Sequence, residues 1–334
     1  MKLIGYTVVL ILILIIILPL FMVNGCEVKN EPKQDLLSEE EVHISVLNHT
    51  NHEVMEINLE EYIVGVVAAE MPVVFDIEAL KAQAIAARTY VVKRLEEFGG
   101  SPDKEHPQYD VCTDPSHCQA WITKEDRIKA WKNDKKYKKL DPEESWGKIQ
   151  EAVMSTQGEI AVYDGQPIDP LFHSTSGGKT ENSEDYFGNK VPYLRSVVSE
   201  YEQDSPNLVS EMVITTTEFI DKLKKKFPDI KVSIKNIENQ IKVLETTEGG
   251  KIGKIQIGNK TMTGREAREI LGLKSSNFEV KQKGNKVYFT VIGYGHGVGM
   301  SQYGADGMAK QGSNYQQILK HYYQGIEIIN IYKK

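Results

Sequence analysis

The Met-Pro step at Met71–Pro72 constrains this chain more than any other feature. It divides residues 59–98, LEEYIVGVVAAEMPVVFDIEALKAQAIAARTYVVKRLEEF, into two helical segments. Proline cannot continue a helix and pushes the residue before it towards extended backbone, so the first helix is predicted to end near Glu70. Glu60 and Glu61 fall in its first turn, where they complement the positive end of the helix dipole. Asp76 is placed to cap a second, alanine-rich helix. Glu70 then sits at the negative end of a helix among Val66, Val67, Met71, Val73, Val74 and Phe75. Both the dipole and desolvation disfavour its ionised form and raise its pKa. A carboxylic acid held protonated near neutral pH is what general acid catalysis at a glycosidic oxygen needs. The plain alternative is a glutamate turned out to solvent.

The chain has 334 residues, enough for one large or two ordinary domains, and a net charge of −7. That acidic balance gives no electrostatic case for nucleic-acid binding. Leu3–Val23 is an uncharged apolar run long enough to cross a bilayer as a helix. With Lys2 before it, the run reads as an uncleaved anchor (1–25) that leaves the rest of the chain extracytoplasmic. Lipidation at Cys26 is the competing reading. Residues 26–41 are polar and charged and read as a tether.

Residues 42–57 suggest a hairpin. The segment EHPQYDVCTDPSHCQAW, 105–121, then brings together His106, Cys112, His117 and Cys118, which can supply a closed tetrahedral zinc site. A Cys112–Cys118 disulfide is the alternative outside the cytoplasm. The charged run 124–144 reads as a solvated face. A helix over 143–157 and strands at 159–162 and 168–172 follow. In FHSTSGGKT, 172–180, Gly178-Lys179-Thr180 lacks the first glycine of a phosphate loop. Ser176 and Lys179 match a Ser-x-x-Lys pair without its companion motifs. A small-residue loop close to a ligand remains, or simply a tight turn. Residues 199–289 read as an inserted α+β unit with helices near 217–227 and 263–271. GYGHGVGMSQYGA, 293–305, is a glycine-rich loop offering His296, Ser301, Gln302 and Tyr303 as polar contacts. A capping box at Ser313–Gln316 precedes a last helix and a last strand at 326–332.

Four motifs in order, VVAAEMP, LKAQAIAARTY, FHSTSGGKTENSEDYFG and GYGHGVGMSQYGA, resemble the family of stage II sporulation protein D, which also includes amidase enhancers. The resemblance runs from about Val42 to the end. It implies a lytic transglycosylase acting during forespore engulfment on glycan strands already stripped of stem peptides. It also implies a membrane-bound cell-wall amidase and a multi-span membrane protein as partners. Glu70 matches the family's catalytic acid and Arg88 an arginine that the family also needs. The His/Cys set looks like the zinc site of some members.

Ordinary glycoside hydrolases use two carboxylates, and no second acid stands out in these motifs. A transglycosylase escapes that requirement, because the C6 hydroxyl of the substrate's own N-acetylmuramic acid is the nucleophile. Arg88, Ser174, Ser176, Tyr186, His296 and Gln302 are the expected glycan contacts. Two rival functions stay open: a non-catalytic peptidoglycan-binding activator of an amidase, and a zinc hydrolase working through the His/Cys cluster. The expected architecture is a mixed α+β catalytic domain (42–198 and 290–334). It would be interrupted by a small α+β subdomain (199–289) and preceded by one transmembrane helix.

Overall fold

Asn58 and Asp76 start the two helices that the Met-Pro step separates. In the computed structural model, which describes residues 42–101 and 107–332, β1 (His43–Leu47) and β2 (Val54–Asn58) form the antiparallel hairpin. Asn58 then accepts the Glu60 and Glu61 amides and opens α1 (Leu59–Glu70), which stops as Met71 turns extended. Asp76 accepts the Glu78 amide and opens α2 (Ile77–Val92). Ala79, Ala82, Ala84, Ala86 and Ala87 have no exposed surface, so α2 is covered on several sides. Only small side chains let so many neighbours approach one helix closely. A 3-10 turn and the left-handed Gly99 end this unit. β3 (Val111–Cys112) then adds to β1 in parallel.

The charged run is not merely a solvated face. Thr123 caps α3 (Lys124–Asn133), which buries Ile128 and Trp131 and turns its lysines outward. α4 (Pro142–Met154) starts on the Asp141 cap and packs against α1 and α2. β4 (Glu159–Tyr163) and β5 (Gln166–Pro167) pair around Asp164 and Gly165, both at positive φ as a two-residue hairpin turn requires. β6 (Phe172–His173) and the short α5 (Ser183–Phe187) follow.

A second hydrophobic core is built only from residues 214–291, around Phe219, Leu223, Ile255, Val287 and Phe289. Its elements are β7 (Val209–Thr215), α6 (Thr216–Lys226), β8 (Ile241–Thr246), β9 (Ile252–Ile257), β10 (Lys260–Thr263), α7 (Gly264–Leu271), β11 (Phe278–Lys283) and β12 (Lys286–Ile292). They form two three-stranded sheets, β11-β12-β7 and β10-β9-β8. Sequence reading misses β7 because it lies on the edge of its sheet with mostly exposed side chains.

The chain then rejoins the first core. Gly293, Gly295, Gly297 and Gly299 all take positive φ, and a Cβ on Gly299 would lie 2.0 Å from the Leu171 carbonyl oxygen. That approach lets β13 (Met300–Ser301) pair with β6 in parallel. The glycine segment is shorter than expected, because α8 (Gln302–Lys310) begins within it on the Ser301 cap. α9 (Tyr315–Tyr322) opens on a capping box of Asn314 and Gln317, one residue later than the sequence suggests. β14 (Glu327–Asn330) closes the chain against β4. The expected membrane span and tether lie outside the described residues. Among the described residues no helix is long and apolar enough to cross a membrane.

Candidate active site

Glu70 is the last residue of α1, half-buried, and its Oε1 accepts one hydrogen bond, from the Ala120 amide at 2.8 Å. Burial raises its pKa above the ordinary carboxylate value, and the Ala120 amide opposes the rise in part. Among the described residues no charged neighbour contributes, so burial rather than a second carboxylate sets the direction. Two separate segments hold the acid in place. The Gln302 Nε2 at the start of α8 donates to the Glu70 carbonyl at 3.2 Å and sits 3.5 Å from the Gln83 Oε1. The loop after Cys118 supplies Ala120. Tyr303 packs edge-on against Phe75 at 4.8 Å and donates its amide to the Ser174 carbonyl, which brings Ser174 beside the same helix start. The start of α8 thus holds both the Glu70 carbonyl and Ser174. Gln302, however, is buried, and its side-chain amide is engaged by the Glu70 carbonyl.

Arg88 is elsewhere. Its side chain is fully buried, and Glu60 on α1 accepts from Nε at 2.9 and 3.1 Å and from Nη2 at 2.5 Å. Nη1 donates to the Glu159 carbonyl and Nη2 also to the Val153 carbonyl. Glu60 in turn accepts from the Gly158 amide and the Tyr332 hydroxyl. Ten helical residues separate Glu60 from Glu70, roughly 15 Å along the axis. The expectation of Arg88 as a glycan contact is therefore corrected: it ties α1, α2, α4 and β4 together. Glu60, expected to complement the helix dipole, is its buried partner.

Ser176 is also corrected. It is buried, and the loop around it is folded onto the carboxylate of Glu202. Glu202 accepts from the amides of Ser176, Gly177 and Gly178 and from the hydroxyls of Ser199 and Ser301. The glycines give the backbone room to converge on an anion. That anion is the protein's own. Neither Glu202 nor Ala120 is marked by any sequence pattern, since one is the middle of three alternating acids, Glu200, Glu202 and Asp204, and the other donates through its backbone.

Tyr186 and His296 form a second cluster, with ring centroids 5.9 Å apart. Phe187 lies 5.5 Å and His173 5.6 Å from the His296 ring. Burial, with Arg268 the next cause, pushes the His296 pKa down to about 4. The cluster connects to Glu70 through His173, which pairs with Ser301, the residue before Gln302.

Of the expected zinc ligands, His106 lies outside the described residues. The ligand atoms of Cys112, His117 and Cys118 lie within 4.8 Å of one another, and both thiols are free rather than bridged. The His117 Nδ1 is 3.3 Å from the Cys112 sulfur and 3.5 Å from the Cys118 sulfur. Ligands around a tetrahedral zinc stand roughly 3.6 Å apart for a sulfur–nitrogen pair, so these three fit one ion. The knuckle ends two residues before Ala120, and Tyr90 braces it by donating to the His117 carbonyl.

A family model described as stage II sporulation protein matches residues 48–163, which span Glu70 and the His/Cys knuckle. Stage II sporulation protein D of Bacillus amyloliquefaciens is 38% identical over 94% of this chain and 90% of its own length. Stage II sporulation protein D of Bacillus subtilis is 41% identical over 86% of this chain and 79% of its own. An amidase enhancer of Bacillus subtilis is more distant, at 28% over 78% of this chain and 39% of its own. With its helix–Met-Pro–helix unit inside the matched region and the relatives covering most of its length, the chain belongs to the stage II sporulation protein D family.

Proposed function

We propose that the protein is a lytic transglycosylase of the sporulating cell's wall, with Glu70 as its single acid–base group. The observation that carries this reading is the half-buried Glu70 carboxyl, with raised pKa, one backbone donor and no charged neighbour among the described residues acting on it. The protonated carboxyl donates to the oxygen of the β-1,4 bond between N-acetylmuramic acid and N-acetylglucosamine. The C1–O bond breaks, and the freed Glu70 carboxylate takes the proton of the muramic acid C6 hydroxyl. Its oxygen closes on C1, leaving a 1,6-anhydro end and a free N-acetylglucosamine hydroxyl. Glu70 ends protonated and ready for another cycle. No water and no second carboxylate is consumed, which suits a site without a partner acid.

A zinc ion held by Cys112, His117 and Cys118 would act as a structural element that fixes the Ala120 amide on Glu70, with His106 the fourth ligand expected from the sequence. With all four positions filled by protein it would leave no place for a reacting group. Leu3–Val23 would anchor the protein in the membrane, with residues 42–334 facing the wall alongside an amidase that strips the strands and a multi-span partner. Incubation of peptide-free glycan with the protein, followed by product masses, tests the reaction. Anhydro ends from the wild type and none from Glu70→Gln are expected; equal products from both would refute it.

A further inference from the structure

The second core contributes a cation to the cluster around His296. Arg268 on α7 is half-buried, donates from Nη1 to the Tyr186 hydroxyl at 2.6 Å and from Nε to the Leu273 carbonyl. Those bonds engage two of its five N–H groups. No carboxylate among the described residues comes within ion-pair distance of it. The acids nearby are taken up: Glu181 by Lys251, Glu184 by Arg195, and Glu269 by Arg265. Asp185 is exposed and accepts from Asn182. A positive field therefore stands uncompensated beside His296, in a protein whose net charge is −7. The depressed His296 pKa, caused by burial first and Arg268 next, agrees with that field. Beside it Phe187 is 41% exposed and meets Tyr186 edge-on at 4.9 Å, presenting an aromatic face of the kind on which the C–H face of a sugar rests.

We propose that Arg268, oriented by Tyr186 beside His296, binds the free lactyl carboxylate of an N-acetylmuramic acid residue in the glycan. The inference rests on the glycan reading above and deepens it. In intact peptidoglycan that carboxyl is an amide to the stem peptide and carries no charge. An amidase that removes the peptide exposes one carboxylate on every muramic acid. Recognition by an arginine fork would then select stripped strands by what stripping creates, besides any steric exclusion of the peptide. It also gives α7, which lies outside the four family-like motifs, a part in substrate choice.

The test is equilibrium binding of full-length protein in detergent, carrying Glu70→Gln so that strands stay intact. One ligand is peptide-free glycan; the other is the same glycan with its lactyl carboxylates converted to neutral methylamides. Charge-assisted hydrogen bonds of this kind, partly screened by solvent, predict roughly tenfold tighter binding of the carboxylate form. Arg268→Ala should bind both forms alike, and Arg268→Lys should recover part of the preference. The comparison of ligands on the otherwise unchanged protein needs no variant at Arg268, so a folding defect cannot hide the answer. Equal affinity for the two ligands, or binding of neither, overturns the carboxylate subsite. A clear preference in a protein whose wild type yields no anhydro ends supports the subsite and counts against the transglycosylase reading alone.

Discussion

Replacing Arg88 with alanine should damage the fold rather than the chemistry directly. The substitution removes a fully buried guanidinium and leaves Glu60 buried with only the Gly158 amide and the Tyr332 hydroxyl as partners. The Glu159 and Val153 carbonyls each lose a donor as well. Breaking a buried ion pair from one side costs about 3–5 kcal/mol, because the surviving charge has neither water nor a counter-charge. For a protein of this size such a loss lowers the melting temperature by roughly 10 °C. Urea unfolding followed by tryptophan fluorescence reads the change. A cycle of Glu60→Leu and Arg88→Met sharpens it: the double variant should be more stable than either of these two single variants, since no lone charge remains. An Arg88→Ala protein as stable as wild type but unable to cleave glycan would refute this account and return Arg88 to the substrate.

Further consequences follow from other parts of the site. Glu70→Gln should stabilise the protein at neutral pH. The folded-state pKa of Glu70 lies above its unfolded value, so folding with the carboxylate charged carries a penalty. Below the ordinary carboxylate pKa the two proteins should be equally stable, and the advantage of the Glu70→Gln variant should grow as pH rises through the folded value; an advantage that grew on acidification would contradict the burial argument. Cleavage by the wild type should fall on the alkaline side as the Glu70 proton is lost, measured as kcat against pH. Gly65→Ala would place a Cβ 2.2 Å from the Trp121 Nε1 and 2.9 Å from the Ile122 carbonyl oxygen, just beyond Ala120. Overpacking there should cost about 1–3 kcal/mol, read by thermal melting, and slow cleavage by moving the Ala120 amide. Metal analysis should find one zinc per chain, lost in Cys112→Ser and Cys118→Ser variants together with several degrees of thermal stability.

The sequence reveals most where one local rule dominates. Pro72 and Asp76 set the end of α1 and the start of α2, and Asp164-Gly165 forms the turn it suggests. The raised pKa of Glu70 is legible because a carboxylate at a helix end among valines loses hydration. What the sequence conceals depends on partners far along the chain. Arg88 and Glu60 are 28 residues apart and lie on different helices, so nothing local shows that each buries the other. Ser176 lies in a loop that looks built for a ligand, and the anion it cradles is Glu202, 26 residues on. Trp131 and Ile128 give α3 a buried side that the surrounding lysines mask. Arg268 carries no motif at all; its position against Tyr186 exists only once the second core has folded.

The central claim is that one acid, Glu70, breaks the glycan without a partner carboxylate. Mass analysis of the ends produced from peptide-free strands in water enriched with ¹⁸O tests it most directly. The wild type should yield 1,6-anhydro ends with no heavy oxygen, and Glu70→Gln no new ends. Reducing ends carrying ¹⁸O, or undiminished cleavage by Glu70→Gln, would contradict it.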